Sequence, residues 1–153
     1  MKEIERRFFV NSMPQNLHEY KSRNITQGYV FFDPVVRLRK AENEFFLTIK
    51  TKGLLVREEI ELNIEKENFD TMWRKVEGNI IVKTRYDIPL EQNLKAELDI
   101  FHGQFSPLVI VEVEFDTIAR SEAFIPPDWF GEEITFSAQY SNKALAQYGL
   151  QSL

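Results

Sequence analysis

Charged and apolar residues alternate along most of this chain. Near the N-terminus Glu3, Glu5 and Arg7 are spaced by two, with Ile4 and Phe8 at the opposite parity. Side chains in a strand point to opposite faces with period two, so these three charges share one face. The spacing returns at Arg37/Arg39, Thr48/Lys50/Lys52, Arg57/Glu59/Glu61, Lys83/Arg85, Glu97/Asp99 and Glu112/Glu114. The residues between them are largely apolar: Leu38, Ile49, Ile60, Leu98, Ile100, Val111 and Val113. An ordinary antiparallel sheet buries its apolar face and gives a mixed polar face to water. Here the charges come in like-signed pairs, basic on some segments and acidic on others. That sorting suggests a polar face folded round a charged ligand and its metal.

The pattern predicts strands over 2–10, 26–32, 35–41, 44–52, 54–62, 79–88, 94–102 and 108–115. Asp33-Pro34, Glu42-Asn43, Gly53, Glu91-Gln92-Asn93 and Gly103-Gln104 supply the turns between them. Over 65–76, Phe69, Met72, Trp73 and Val76 recur at three and four residues, which predicts an amphipathic helix. A short helix over 116–124 ends at Pro126-Pro127, and an extended piece over 133–136 leads to a last helix over 140–149. Ser141 or Asn142 caps that helix. There is no repeat, linker or low-complexity tract, so residues 1–153 read as one domain.

Eight strands with helices only between or after them predict an α+β protein built on a closed, eight-stranded antiparallel barrel or a strongly curved sheet. Such a barrel holds side chains or one small ligand. Unpaired charges sealed in a core would be prohibitive, so a charged interior must be wet, open and internally paired. The apolar face then turns outward, with Ile4, Leu38, Ile49, Ile60 and Val111 lying beneath a cover supplied by Phe69, Met72, Trp73 and the C-terminal helix. A polar lumen inside an apolar wall also describes a membrane barrel, but the short loops and available covering helices favour a soluble one.

Composition narrows the picture. Of 153 residues, 43% are hydrophobic and 28% charged, as in soluble globular domains. The net charge of −5 argues against non-specific nucleic-acid binding. There are no cysteines, which excludes disulfides and thiolate metal sites. No signal-peptide pattern opens the chain and no apolar run reaches the roughly 18 residues of a spanning helix. The expectation is a soluble cytoplasmic protein, monomer or homodimer, without membrane or nucleic-acid partners. With two histidines, His18 in a polar loop and His102 at a strand end, a zinc site or a Cys-His nucleophile has no basis. No Gly-rich phosphate loop is present, so phosphate would have to be held by side chains. The thirteen phenylalanines, and Trp129-Phe130 after the proline pair, read as cover and core.

The basic set is Arg7, Arg37, Arg39, Lys50, Lys52, Arg57, Lys83 and Arg85. Arginine meets phosphate oxygens in pairs and lysine offers a mobile point charge. Several strands aiming such groups into one cavity fit a ligand with adjacent phosphates; each residue alone also fits a solvated strand edge. The acidic set is Glu3, Glu5, Glu59, Glu61, Asp99, Glu112 and Glu114. Mg²⁺ typically takes one or two carboxylates plus substrate phosphates and waters. Glu-x-Glu in a strand sets two carboxylates ~7 Å apart on one face. As an isolated signal it is weak, but Glu112 and Glu114 sit within the apolar run of Val109, Ile110, Val111, Val113 and Phe115.

These fragments, in this order, resemble the CYTH, or triphosphate tunnel metalloenzyme, superfamily. Glu3-Ile4-Glu5-Arg6-Arg7 is similar to its N-terminal ExExK strand. Gln27-Gly28-Tyr29, Arg37-Leu38-Arg39, Leu47-Thr48-Ile49-Lys50 and Arg57-Glu58-Glu59-Ile60-Glu61 follow in the family's order. So do Lys83-Thr84-Arg85-Tyr86, Glu97-Leu98-Asp99, Val111-Glu112-Val113-Glu114, Gly131-Glu132-Glu133-Ile134-Thr135 and Asn142-Lys143-Ala144-Leu145. The resemblance implies a tunnel of eight antiparallel strands that binds triphosphate substrates with Mg²⁺ or Mn²⁺. It implies that Glu3, Glu5, Glu112 and Glu114 hold metal. Arg37, Arg39, Lys50, Lys52, Arg57, Lys83 and Arg85 would hold the phosphate chain. Catalytic roles fall to Arg7, Lys83, Glu59, Glu61 and Asp99, the carboxylates serving metal binding or water orientation. The family's motif lysine is Arg7 here, which keeps the charge but is bulkier and cannot donate a proton.

Family activities include inorganic, thiamine and RNA triphosphatases and class IV adenylate cyclases. A form starting directly at the motif, with no evident base pocket, looks most like the inorganic triphosphatases, which release phosphate and pyrophosphate. The alternatives are a cyclase making cyclic AMP from ATP and a non-catalytic polyphosphate- or nucleotide-binding module.

Overall fold

The computed structural model describes residues 2–52 and 55–150. The strands are β1 (Lys2–Val10), β2 (Lys21–Phe32), β3 (Val35–Ala41), β4 (Glu44–Lys50), β5 (Val56–Asn63), β6 (Glu77–Pro89), β7 (Lys95–Phe101), β8 (Val109–Phe115) and β9 (Phe130–Glu133). The helices are α1 (Lys66–Trp73), α2 (Ile118–Ala123) and α3 (Asn142–Tyr148). The sheet runs β5-β4-β3-β2-β6-β7-β8-β1, and β5 pairs with β1 to close the ring. The closure is short, from Lys2↔Glu58 to Ile4↔Val56. Beyond it β1 pairs instead with β9 at Phe8 and Val10. This is the closed antiparallel barrel of eight strands that the alternation predicts.

Three of its departures from the pattern bear on the site and its frame. β2 begins at Lys21, not 26, because β6 supplies ladder partners from Lys21↔Asp87 onward. β4 stops at Lys50, where its ladder with β5 ends at Lys50↔Glu59, so Lys52 lies outside the strand. The short extended piece forms at Phe130–Glu133, ahead of 133–136, because its partner is the second half of β1. The expected turn at Gly53 falls outside the described residues. Among the described residues no helix is long and apolar enough to cross a membrane.

The outer face is covered in two ways. Over β1, β7 and β8, the segment after α2 brings Phe124 and Phe130 onto Phe8, at ring-centroid distances of 6.3 and 5.0 Å, and Trp129 onto Phe130. Ile4, Leu98, Val111 and Val113 are buried in this cluster. Arg6, at the same parity, donates through Nε and Nη2 to Glu133 and through Nη1 to the Ser121 and Phe124 carbonyls, pinning the segment down. Over β2–β4, α1 lays Phe69 between Phe45 and Trp73. Gly28 makes that approach feasible: a Cβ there would lie 2.5 Å from Val76 and 3.2 Å from Trp73. The cover is incomplete. Ile4, Leu38 and Val111 are buried as expected, but Ile49 and Ile60 are 37% and 57% exposed. That pair sits face to face across the β4–β5 ladder.

Inside, the charged face gives way to apolar residues at one end. Phe9, Tyr29, Ile81, Phe101 and Ile110 continue the parity of Arg7, Gln27, Lys83, Asp99 and Glu112, and pack with Tyr140, Leu145 and Ala146. The Ser141 hydroxyl accepts the Ala144 N–H at 3.0 Å, making Ser141 the cap of α3. The C-terminal helix, expected as part of the outer cover, thus stops one end of the barrel with an apolar plug, because Leu145 and Ala146 meet interior-facing residues of the strands.

Candidate active site

The barrel encloses a cavity of about 450 Å³ into which most of the alternating charges project. Glu3, Glu5, Arg7, Arg37, Arg39, Lys50, Lys52, Arg57, Glu59, Glu61, Arg85, Glu112 and Glu114 all line it. The local cause is strand parity; the global cause is ring closure, which brings β5 against β1 and sets Arg57 beside Glu3 and Glu5. Arg57 Nη2 bonds Glu3 Oε1 at 2.8 Å and also reaches Glu5 Oε1. Lys50 Nζ lies 3.1 Å from Glu3 Oε1 and 3.5 Å from Glu59 Oε2. Arg37 Nη2 donates to Thr48 Oγ1 at 3.2 Å and approaches Glu61 at 3.7 Å. Arg39 Nε donates to Gln27 Oε1 at 2.9 Å. On the opposite wall Arg7 Nε bonds Glu112 Oε1 at 3.2 Å, and Arg85 Nη2 stands 3.7 Å from Glu112 Oε2.

Two expected site residues lie elsewhere. Lys83 and Asp99 do not line the cavity; both are fully buried behind it. Lys83 Nζ donates to Asp99 Oδ2 at 2.7 Å and to Asn142 Oδ1 at 3.1 Å. Arg85 grips the same carboxylate with two bonds, Nε to Oδ1 at 2.6 Å and Nη2 to Oδ2 at 2.7 Å. Lys52, beyond the end of β4, reaches only the rim, where it is exposed and 3.3 Å from Asp33. The four metal-assigned carboxylates are also not a ready-made cage. Among the described residues no three acids or histidines stand at ligand spacing. Instead Glu3 and Glu5 are drawn to Lys50 and Arg57, and Glu112 to Arg7 and Arg85.

Like charges crowd on both sides of this cavity. Burial, then the charges of Glu112 and Glu3, push the Glu5 carboxyl up to about 8 despite Arg57 and Lys50. Burial raises Glu59 to about 7, helped by its hydrogen bond with Glu3. Glu3 is also buried, but the bond from Glu59 and the Lys50 and Arg57 cations outweigh that and hold it at about 2. Arg85, Arg7 and Lys83 likewise overcome burial to hold Glu112 well below the usual carboxylate range. Among the cations, burial and then Arg37 push Lys50 down, and burial with Arg37 and Arg85 pushes Arg39 down to about 9. The Nε–H groups of Arg37 and Arg57 are buried without an acceptor among the described residues. Crowded cations with unspent donors are what a polyanion would relieve.

Several lining residues escaped the sequence reading. Tyr29 is 2% exposed beside Arg37, and burial raises its hydroxyl. Arg23 pairs with Asp87 at 2.8 Å and Glu97 at 3.1 Å. Tyr29 shares the parity of Gln27 within the expected strand, and extending that strand back to Lys21 adds Arg23 to the same face. Thr135, Ser137, Ser141, Asn142 and Lys143 come from the C-terminal segment and carry no strand periodicity to betray them.

Comparison with known proteins agrees with this geometry. The CYTH domain family model matches residues 1–137. An inorganic triphosphatase of Nitrosomonas europaea is 44% identical over 149 residues, covering 95% of this chain and 97% of that protein. One of Acetivibrio thermocellus is 32% identical over 152 residues, covering 95% and 94%. A crystal structure of an inorganic triphosphatase superposes with a TM-score of 0.69 at 41% identity, covering 94% of this chain and 93% of that one. A putative adenylyl cyclase from Hippeastrum, described as having a dominant triphosphatase activity, shares the fold at a TM-score of 0.59 and 15% identity. An eight-stranded charged barrel, the ordered motifs and the match over nearly the whole chain place this protein in the CYTH domain family.

Proposed function

We propose that this chain hydrolyses inorganic triphosphate to pyrophosphate and phosphate in the barrel cavity, with Mg²⁺ or Mn²⁺ as cofactor. The observation that carries the reading is the sorting of charge within one enclosure. Arg37, Arg39, Lys50 and Arg57 crowd one another on β3, β4 and β5, and Glu3, Glu5, Glu112 and Glu114 cluster on β1 and β8. The two sets meet where β5 closes on β1, with Glu59 and Glu61 on the basic side and Arg7 on the acidic side. The likeness to two inorganic triphosphatases supports the choice of substrate.

The acidic wall fits a hard divalent cation. Its donors are all oxygens, and Glu5 opposes Glu114 across the β1–β8 ladder, two positions from the Arg7–Glu112 pair. A preformed triad is not required, because Mg²⁺ uses one or two carboxylates and completes its shell with phosphate and water. Glu3, Glu5, Glu112 and Glu114 would hold it, and the bound ion would polarise phosphoryl oxygens.

The remaining chemistry belongs to side chains. The guanidinium groups of Arg37, Arg39, Arg57 and Arg85, with Lys50, spread over the phosphate oxygens and stabilise charge that grows on them during transfer. Lys52 at the rim guides the anion inward. Glu59 and Glu61, both lining the cavity from β5, would orient the attacking water. Lys83 and Asp99 act from behind, holding Arg85 in place through the shared carboxylate. Phosphate release from triphosphate and from ATP, each with Mg²⁺, with Mn²⁺ and with chelator, tests the reading. Metal-dependent release from triphosphate in preference to ATP is expected. Cyclic AMP from ATP, or no turnover of either, would refute it.

A further inference from the structure

Arg7 lines the cavity, yet its guanidinium is already engaged within the protein on two sides. Nε bonds Glu112 at 3.2 Å, and Nη2 donates to the Tyr140 carbonyl at 2.7 Å. The side chain is 6% exposed. Its backbone is tied to the same stretch of chain: Arg7 N–H donates to Thr135 Oγ1 at 3.0 Å, and its carbonyl accepts Ile134 N–H at 2.8 Å. One residue of β1 therefore grips the C-terminal segment at Ile134, Thr135 and Tyr140.

That segment completes the cavity. Ser141, Asn142 and Lys143 line it, although the family model ends at residue 137. Tyr140 packs edge-on against Phe9 at 4.8 Å, and Leu145 and Ala146 are fully buried in the plug. Apolar packing docks the segment but is non-directional, and Lys83 at Asn142 and Asn79 at the Leu145 carbonyl add directional bonds on α3. A charge-assisted bond to a carbonyl fixes one point.

We propose that Arg7 is a positioning residue that couples this C-terminal wall to Glu112, so that one guanidinium sets both the shape of the phosphate cavity and the orientation of a metal-binding carboxylate. Arginine suits the task because its planar fork presents donors on separate edges, whereas a lysine ammonium is a single point charge. Arginine at the position where the family motif has lysine thereby acquires a structural reason. The proposal rests on the triphosphatase reading only for the role of Glu112; the tether itself does not depend on it.

The test compares the intact wild type with Arg7→Lys and Arg7→Gln by amide hydrogen exchange, without substrate. The Tyr140, Ser141 and Leu145 N–H groups, bonded to Ser137, Ala138 and Ser141 carbonyls, are the reporters. Losing the charged bond should speed exchange across 138–148 on the order of tenfold, with the barrel strands unchanged. Binding of Mn²⁺ alone should weaken in both variants, and kcat on triphosphate should fall more than KM rises. Asn79→Ala is the comparator: it removes the Asn79 Nδ2 bond to the Leu145 carbonyl, outside the Glu112 contact. It should loosen the segment while sparing Mn²⁺ affinity. Unchanged exchange in both Arg7 variants would overturn the tether, as would uniform acceleration through the barrel. Equal loss of Mn²⁺ affinity in Asn79→Ala would overturn the coupling to Glu112. A wild type inert toward triphosphate would sink the proposed reaction, while the exchange data would still decide the tether.

Discussion

Replacing Asp99 by asparagine removes one negative charge from the most enclosed ion cluster in the protein. The carboxylate accepts three charge-assisted bonds, from Lys83 Nζ at 2.7 Å and from Arg85 Nε and Nη2 at 2.6 and 2.7 Å. Asparagine keeps the shape but offers one oxygen, and turns an N–H₂ group toward a cation. Arg85 retains weaker partners in Glu97 at 3.4 Å and Glu112 at 3.7 Å, whereas Lys83 keeps only the neutral Asn142 oxygen among its bonded partners. Breaking a buried pair by removing one member costs about 3–5 kcal/mol. Domain stability is typically about 5–15 kcal/mol, so Asp99→Asn should be folded but marginal. Urea unfolding followed by Trp73 and Trp129 fluorescence would measure the loss, with the slope m checked for constancy. The double variant Lys83→Met, Asp99→Asn removes the unpaired Lys83 amino group together with its partner. It should therefore be more stable than Asp99→Asn alone, and the cycle should give a coupling on the order of 1–3 kcal/mol. A loss below about 1 kcal/mol in Asp99→Asn would refute the claim that this carboxylate neutralises the cations behind the cavity.

Three further outcomes follow from the same geometry. Burial, with Arg85 and Arg39, pushes Lys83 from its usual 10.5 down to about 7 against the pull of Asp99. Between those values the unfolded chain binds more protons than the folded one, so stability rises with pH. The stability of the wild type relative to Lys83→Met should therefore increase from pH 7 toward 10 in urea titrations; a flat or falling difference would contradict the shift. Glu112→Gln keeps shape but loses charge, so Mn²⁺ affinity in an isotherm should fall at least about tenfold and triphosphate turnover should collapse. Unchanged metal-dependent turnover would return these carboxylates to a structural role. Phe69→Ala, which removes the ring between Phe45 and Trp73, should cost about 3–5 kcal/mol in thermal or urea unfolding while leaving KM for triphosphate unaltered, because it acts only on the outer face.

The spacing of charges determined which residues share a face, because period two is a property of the extended backbone alone. Glu3, Glu5 and Arg7, or Arg37 and Arg39, could not do otherwise once their segments became strands. The ordered motifs likewise carried the family, and with it the barrel. Where strands begin and end was less legible. β2 reaches back to Lys21 only because β6 offers it a ladder, and Lys52 stays at the rim of the site because the β4–β5 ladder stops at Lys50. Which charges meet was decided by tertiary structure. Arg57 finds Glu3 and Glu5 because ring closure brings together residues some fifty positions apart, with three paired positions to fix their register. Parity could not separate Lys83 and Asp99 from the charges that face the cavity, since direction says nothing of what stands in front. Asn142 and the apolar plug stand there, delivered by a C-terminal segment with no strand period. Its docking depends on Tyr140, Leu145 and Ala146 meeting the apolar ends of five strands. Local periodicity fixes where a side chain points; only the closed chain fixes what it meets.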